Sequence, residues 1–420
     1  MVTSLMGVLG VVAALAAAPG VPEAPKPPFA AWTIPGLVYV RHQPKVPSEL
    51  AGALRRGDIV QVKSIVSDAE GLHPWALIDG DGAVPLAALQ STGERPDAAK
   101  VQASDATFAY ARVKTYKAPV YAAADAKSAV RGHQKATYLL AFVPDDALLA
   151  TGWLHHASGG FMRLQDVQLL PPSTFAGEEK PALPLAFVRR KVEGKPIAGQ
   201  SPHIWQRYDR APLQAEKAGR VTLKGTTFSR QLVRVAYPHA RPKEIPKHAK
   251  WLHVDLTEQT LVAYDGDTPV FATMVSAGRD PHPTKKGVFR IYAKTVHSTM
   301  RGRGWADYVA EEVPWVMHFF QGQALHGSYW HDQFGIVKSH GCINLSFADA
   351  KFVFEWMAPP LPPGWHTLLP GRGDPAVYID IDRGGDRPHA APQPNVPTQT
   401  HQWTIDHQGA KKVRLDRVKD

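Results

Sequence analysis

Short apolar runs rich in Val, Ile, Leu, Tyr and Phe recur from Leu37 to Asp380, each cut off by a turn containing glycine, proline or aspartate. This pattern confines the chain to mainly β architectures, because a long helix needs apolar positions sustained at helical spacing. Residues 37–40, 59–62, 75–78 and 84–86 are the first runs, and Arg56-Gly57-Asp58 and Asp79-Gly80-Asp81-Gly82 are their turns. They predict a small β module over residues 36–92. Residues 113–116, 136–142, 152–154 and 161–164 repeat the style over 107–172. This second set forms either its own module or one irregular β-domain with the first. Residues 19–35, rich in Pro and Ala, read as an extended linker. Residues 173–249 read as a Pro-rich linker region in which only 221–223 and 231–235 are strand-like. The polar stretch 383–420 is expected to be a disordered tail.

At 420 residues there is room for several domains, and the net charge of +10 favours anionic partners. The basic residues are scattered and form no nucleic-acid motif, so no nucleic-acid partner is expected. Anionic wall polymers or a membrane surface suit the charge better. Residues 1–18 read as a signal peptide, with Ala16-Ala17-Ala18 as a small-residue cleavage site. No Lys or Arg precedes the apolar run, which leaves an uncleaved anchor as the alternative. Either way the rest is expected to be exported, to the periplasm or cell wall. A single cysteine suits export, since no second thiol can trap it in an internal disulfide.

The best-defined unit spans 250–382. Runs 251–256, 260–264 and 269–276 are strand-like, with a hairpin turn at Asp265-Gly266-Asp267. Runs 288–292 and 315–320 follow, and Gln321-Gly322-Gln323 turns the chain toward His326. Residues 377–380 are placed to close the sheet. Cys342, the one cysteine, lies in Ser339-His340-Gly341-Cys342-Ile343-Asn344, and His326 opens His326-Gly327-Ser328-Tyr329-Trp330-His331. A lone cysteine is usually a small buried hydrophobe. Here polar, glycine-containing flanks make a turn rather than a core segment, and imidazoles stand close in sequence. These are the parts of an activated thiol nucleophile. Ser346 reads as the N-cap of a helix with Asp349 three residues on, and Pro359-Pro360 stop it. Cys342 is therefore expected on a loop just ahead of a helix N-terminus. His318, His326, His331, His340 and Cys342 also crowd one stretch, but HExxH and CxxC patterns are missing, so no metal or other cofactor is expected.

Residues 250–382 resemble the L,D-transpeptidase catalytic domain, the YkuD-like fold. The resemblance rests on ordered runs: 251–261, then Ser276-Ala277-Gly278, Thr284-Lys285-Lys286-Gly287-Val288-Phe289, Val313-Pro314-Trp315 and His326-Gly327. Twelve residues separate His326 from Ser339-His340-Gly341-Cys342. Lys285 stands where the family usually has proline, and Asn344 where many members carry arginine and others asparagine. The 36–92 region is similar to the bacterial SH3-like modules joined to wall enzymes, on its Val-Arg start, the Gly-Asp before a strand, and Trp75. The implied fold is mainly β and multidomain. Small SH3-like β-barrel modules would precede a YkuD-like β-sandwich catalytic domain with a helix after the cysteine.

The resemblance implies a cysteine-dependent acyltransferase acting on peptidoglycan stem peptides. It would take a tetrapeptide donor and a diamino-acid acceptor, form 3–3 cross-links through a thioester, and be acylated by carbapenem-type inhibitors. It implies Cys342 as nucleophile, His326 as proton donor and acceptor, and the Gly327 carbonyl as the group that orients the imidazole. His340 would flank the thiol. The N–H groups of Gly341 and Cys342 are candidates for the oxyanion hole. Ser339, Asn344, Trp330, Tyr329, Tyr308 and Met300 are candidate substrate contacts, the last two as a lid. Trp330 and Tyr329 are equally readable as ordinary core. Two other functions stay open: an L,D-carboxypeptidase or other thiol hydrolase on the same peptides, and a non-catalytic wall-binding protein.

Overall fold

A computed structural model describes residues 25–68, 70–97, 103–302 and 308–384. The expected signal peptide and nearly all of the expected tail lie outside the described residues. Among the described residues the chain is mainly β, with two α-helices, Asp146–Ala150 and Phe347–Trp356. No described helix is long and apolar enough to cross a membrane.

The N-terminal half is built from one connectivity used three times. In the segment 29–90 seven strands are arranged so that the first pairs with the fourth and seventh. The second pairs with the third and sixth, and the fifth joins the fourth to the sixth. A single 3-10 turn, Leu86–Ala88, precedes the last strand. The segment 109–169 repeats every one of these pairings, with its 3-10 turn at Leu164–Asp166. The segment 185–236 does so again, its fourth strand split into Arg210–Pro212 and Ala215–Lys217 and its turn at Arg230–Leu232. The expectation of a linker over 173–249 is therefore corrected. This segment is a third β module with its own core of Val188, Trp205, Val221, Leu223, Phe228 and Val235. Its short strands and interspersed prolines hid it, because three-residue runs such as His203–Trp205 show no measurable alternation.

The chain divides into two compact units. The first holds residues up to 169 together with 301–312 and 361–369. Within it, Thr367–Leu368 pairs with Leu50–Arg55 of the first module. Trp365, 1% exposed, joins that module's core, and its indole N–H donates to the Asp79 carbonyl at 3.1 Å. Gly52 and Gly82 make the room. A Cβ on either would come within 2.7 Å and 2.5 Å of the indole. Glu312 of the 301–312 segment is fully buried and takes both nitrogens of Arg55, at 2.8 and 3.2 Å.

The second unit holds the third module and the remaining C-terminal residues. Its main sheet contains β1 (Lys250–Asp255), β2 (Thr260–Asp265), β3 (Thr268–Met274) and β4 (Gly287–Arg290). Then follow β5 (Ala293–Arg301), β6 (Val309–Phe320), β7 (Gln323–Gly327), β8 (Ile343–Leu345) and β9 (Val377–Asp382). β3, β2, β1, β9 and β4 lie side by side, with β1 and β9 parallel and the other pairs antiparallel. Asp265 faces Thr268, so Gly266-Asp267 is the two-residue hairpin loop expected there. Phe187 and Ala236 of the third module pack with Trp251, Val262, Met274 and Val288 of the sheet in one core. The helix Phe347–Trp356, named α1 here, follows β8, with the Ser346 hydroxyl accepting from the Asp349 N–H at 3.2 Å.

Candidate active site

The two sequence runs meet because β7 and β8 are parallel neighbours. His326 is opposite Asn344, and Leu325 is opposite Ile343. Extending that register by one residue brings Ala324 opposite Cys342. Side chains two apart on a strand share a face, so Cys342 and His326 project to the same side as diagonal neighbours. The β8 strand separates Cys342 from α1, which corrects the expectation that the thiol stands directly ahead of the helix. The N–H that favours its anion belongs to Ala324 on β7.

A second clamp comes from Ser276-Ala277-Gly278. Ser276 and Asn344 exchange backbone hydrogen bonds of 3.0 and 2.9 Å, and Ser339 N–H donates to Ala277 O at 3.1 Å. A Cβ on Gly278 would sit 2.6 Å from Thr284 N and 2.9 Å from Gly341 Cα, so only glycine permits this approach. Thr284 Oγ1 accepts from Gly278 N–H at 2.8 Å and donates to Gly341 O at 2.9 Å. Gly341 has φ +116, and a Cβ there would meet Gln323 Nε2 at 2.8 Å. Gln323 in turn accepts from Lys285 N–H at 2.9 Å, a bond that proline at 285 lacks the hydrogen to make. The departure at 285 is thus matched by a partner across the turn.

His326 is 2% exposed, and its Nδ1–H donates to the carbonyl of Gly327 at 3.0 Å. That bond fixes the tautomer and leaves Nε2 as a proton acceptor. Burial lowers the imidazole to about 4 and pushes the Cys342 thiol up to about 11, the Ala324 N–H opposing the latter. The thiol is half-buried and lies 3.9 Å from Gly322 O. Both groups are therefore neutral at rest. His318 and His331 are also held near 4, first by burial, then for His331 by Lys338, and for both by the repulsion that a second proton near His326 would meet. Tyr292 stands within electrostatic reach of Cys342, and its hydroxyl bonds to the Gly322 backbone.

The remaining predicted residues fall into three places. Trp330 faces the imidazole, with ring centroids 5.6 Å apart. His340 is exposed and meets His282 at 5.3 Å. Arg279 and His282 help burial hold its pKa down. Ser339, Gly341, Asn344 and Tyr329 serve the loop and core. The Ser339 hydroxyl donates to Cys342 O and accepts from Gly341 N–H at 3.1 Å, so in this structure both groups are engaged within their own loop. Tyr329 is 2% exposed against Trp330 and Phe347, so it is core rather than a substrate contact. Asn344 is 1% exposed, and its amide end lies 3.0 Å from His331 Nε2. His331 Nδ1 accepts from Gln333 N–H at 3.2 Å, so the neutral ring carries its proton on Nε2. The structure sets Asn344 Nδ2 against that nitrogen and leaves Oδ1 buried without a partner, so the hydrogen-bond pattern assigns the reversed amide, with its oxygen toward His331. Met300, the last residue but one of β5, is half-buried, Tyr308 is half-buried, and 303–307 lie outside the described residues. Tyr292, Thr284, Gln323 and Ala324 were missed. Tyr292 ends the run 288–292, Thr284 opens the run 284–289 and Gln323 closes the turn 321–323, but nothing in these runs gave any of them a place at the site.

The family model for YkuD, the L,D-transpeptidase catalytic domain, matches residues 249–379. This part of the chain is an L,D-transpeptidase catalytic domain. A curated relative, "Putative L,D-transpeptidase YciB" of Bacillus subtilis (strain 168), is 26% identical over 133 residues, covering 28% of this chain and 64% of that protein. An L,D-transpeptidase structure from Stackebrandtia nassauensis is 25% identical over 36% of this chain and 62% of its own, with a TM-score of 0.26. The catalytic domain of the E. faecium L,D-transpeptidase is 22% identical over 32% of this chain and 98% of its own, with a TM-score of 0.26. The chain thus spans less than two thirds of the B. subtilis and S. nassauensis proteins.

Proposed function

We propose that this chain is an exported peptidoglycan L,D-transpeptidase that carries its acyl group as a thioester on Cys342. The observation that supports it best is the His326 Nδ1–H bond to the Gly327 carbonyl, which presents Nε2 on the face that Cys342 shares. As the sulfur attacks the carbonyl after the third residue of a tetrapeptide, its proton passes to Nε2. The tetrahedral intermediate then expels the terminal D-alanine, whose nitrogen takes that proton. The side-chain amine of a second stem attacks the thioester, gives its proton to Nε2, and releases the thiol with a new 3–3 amide. Because thiol and imidazole are both neutral at rest, His326 acts as a general base during attack rather than as half of a standing ion pair. The N–H of Cys342 is the proposed oxyanion donor, joined by Gly341 only if Ser339 releases it. Trp330 is the proposed aromatic wall of the donor site, His340 an outer substrate contact, and Met300 and Tyr308 the lid. The three β modules are read as SH3-like wall-binding modules.

Intact-protein mass after incubation with a carbapenem tests the reading. The wild-type chain is expected to gain one inhibitor mass and Cys342→Ala none. An unchanged gain in Cys342→Ala would sink the thioester and favour a wall-binding protein. Muropeptide analysis separates transfer from hydrolysis: 3–3 dimers support transfer, and tripeptides alone support the carboxypeptidase.

A further inference from the structure

His239, His253, Asp380 and Asp382 bring four ligand atoms within 4.8 Å of one another. None belongs to the thiol site. His253 is on β1, Asp380 and Asp382 are on β9, and His239 lies on the segment leaving the third module. The parallel register makes the grouping inevitable, since His253 is opposite Asp380 and Asp255 opposite Asp382. The imidazoles stack at 3.7 Å, nearly parallel. His239 Nε2 lies 3.2 Å from Asp380 and 3.8 Å from Asp382, and His253 Nε2 lies 3.1 Å from Asp382.

Among the described residues, His239 and His253 are the only basic side chains paired with Asp380 and Asp382. Asp255, Asp380 and Asp382 are 6%, 2% and 1% exposed, and among the described residues no Lys or Arg pairs with any of them. Burying carboxylates requires compensation. Two stacked imidazolium rings would supply it only by placing like charges face to face. One oxygen of Asp380, Oδ1, is buried with no partner at all. A cavity of about 260 Å³ lined by Tyr237, His239, His253, Asp255 and Gly384 opens onto the group. Tetrahedral zinc with N and O ligands at roughly 2.0–2.2 Å sets neighbouring ligand atoms about 3.3 Å apart, close to the His–Asp spacings above, and the half-exposed His239 ring must turn out of its stack on His253 to aim its lone pair at a shared ion. A divalent ion would offset Asp380 and Asp382, while Asp255 keeps the backbone N–H groups of Thr257 and Glu258 at 2.7 and 3.0 Å.

We propose that His239, His253, Asp380 and Asp382 form a divalent metal site of the zinc class, a clasp that fastens the first and last strands of the catalytic sheet to the segment leaving the third module. Full-length protein stripped with EDTA is titrated calorimetrically with zinc chloride, and bound zinc is counted after desalting. One zinc per chain is expected in the wild type and in Cys342→Ala, so the outcome does not depend on the thiol chemistry. His253→Ala and Asp382→Asn are each expected to weaken binding more than about a hundredfold. His239 is the half-exposed ligand, so His239→Ala carries the decision if the buried variants do not fold. The thermal midpoint of the stripped wild type is expected to rise by several degrees with zinc. No zinc uptake and an unmoved midpoint would overturn the proposal, as would undiminished uptake by His239→Ala.

Discussion

A half-buried thiol on the same strand face as a buried neutral imidazole behaves differently from a preformed thiolate. With Cys342 pushed up to about 11, alkylation by iodoacetamide is expected to accelerate about tenfold per pH unit through neutrality, with no plateau before the thiol titrates. A plateau near pH 6 would mean a standing ion pair. His326→Ala removes the base and is expected to slow carbapenem acylation by about 10²–10⁴. Normal acylation would take His326 out of that role. Gly341→Ala forces a side chain onto a φ of +116 and into Gln323, so acylation should fail while the rest of the fold survives, as read by near-UV dichroism. The thiol and the imidazole were legible in the sequence because their residue types are scarce and their spacing is fixed. Ser339, Tyr329 and Asn344 were not, since nothing in a local run tells whether a hydroxyl or ring turns to the groove or to its own loop.

Elements position that pair through their ends. Two lysines from strands of different sheets, β1 and β5, cap the C-terminal end of α1. Lys250 Nζ donates to Trp356 O at 2.8 Å, and Lys294 Nζ to Met357 O and Pro359 O at 3.0 and 3.1 Å. Lys294 is 1% exposed, and burial lowers it from 10.5 to about 8. The folded state therefore releases this proton before the unfolded state does. Below pH 8 the burial cost is fully present, and between pH 8 and 10.5 it is relieved, by up to about 3 kcal/mol. Urea unfolding should show wild-type stability climbing through that window relative to Lys294→Met, and parallel curves would contradict the assignment. At the other end Ser346→Ala should cost about 1 kcal/mol, the usual worth of an N-cap hydroxyl. The Ser346 cap was readable from sequence. The carboxylate of Asp349 was only half read: it accepts from Gly177 N–H at 2.7 Å and from Thr273 Oγ1 at 2.5 Å, partners far away in the chain.

For the whole molecule, sequence order and structural membership part company. The first two modules showed most of their strands as apolar runs, whereas the third, whose third strand is only His203–Trp205 and whose fourth is broken into Arg210–Pro212 and Ala215–Lys217, passed for a linker. Equally invisible was the placement of 301–312 and 361–369 in the first unit. Arg55 and Glu312 form a buried ion pair there, with side chains 7% and 1% exposed. Arg55→Met should cost about 3–5 kcal/mol by stranding the carboxylate, and Arg55→Met with Glu312→Leu should recover most of it. Thermal unfolding of the two variants measures this, and equal losses would refute the pair's role.

Trp365 gives the modules a heredity of their own. Recombination at the conventional border near residue 249 would hand a recipient gene the first module without the indole that fills it and without the strand Thr367–Leu368 that lines it. A donor lineage can pass on this architecture only as one uninterrupted cassette.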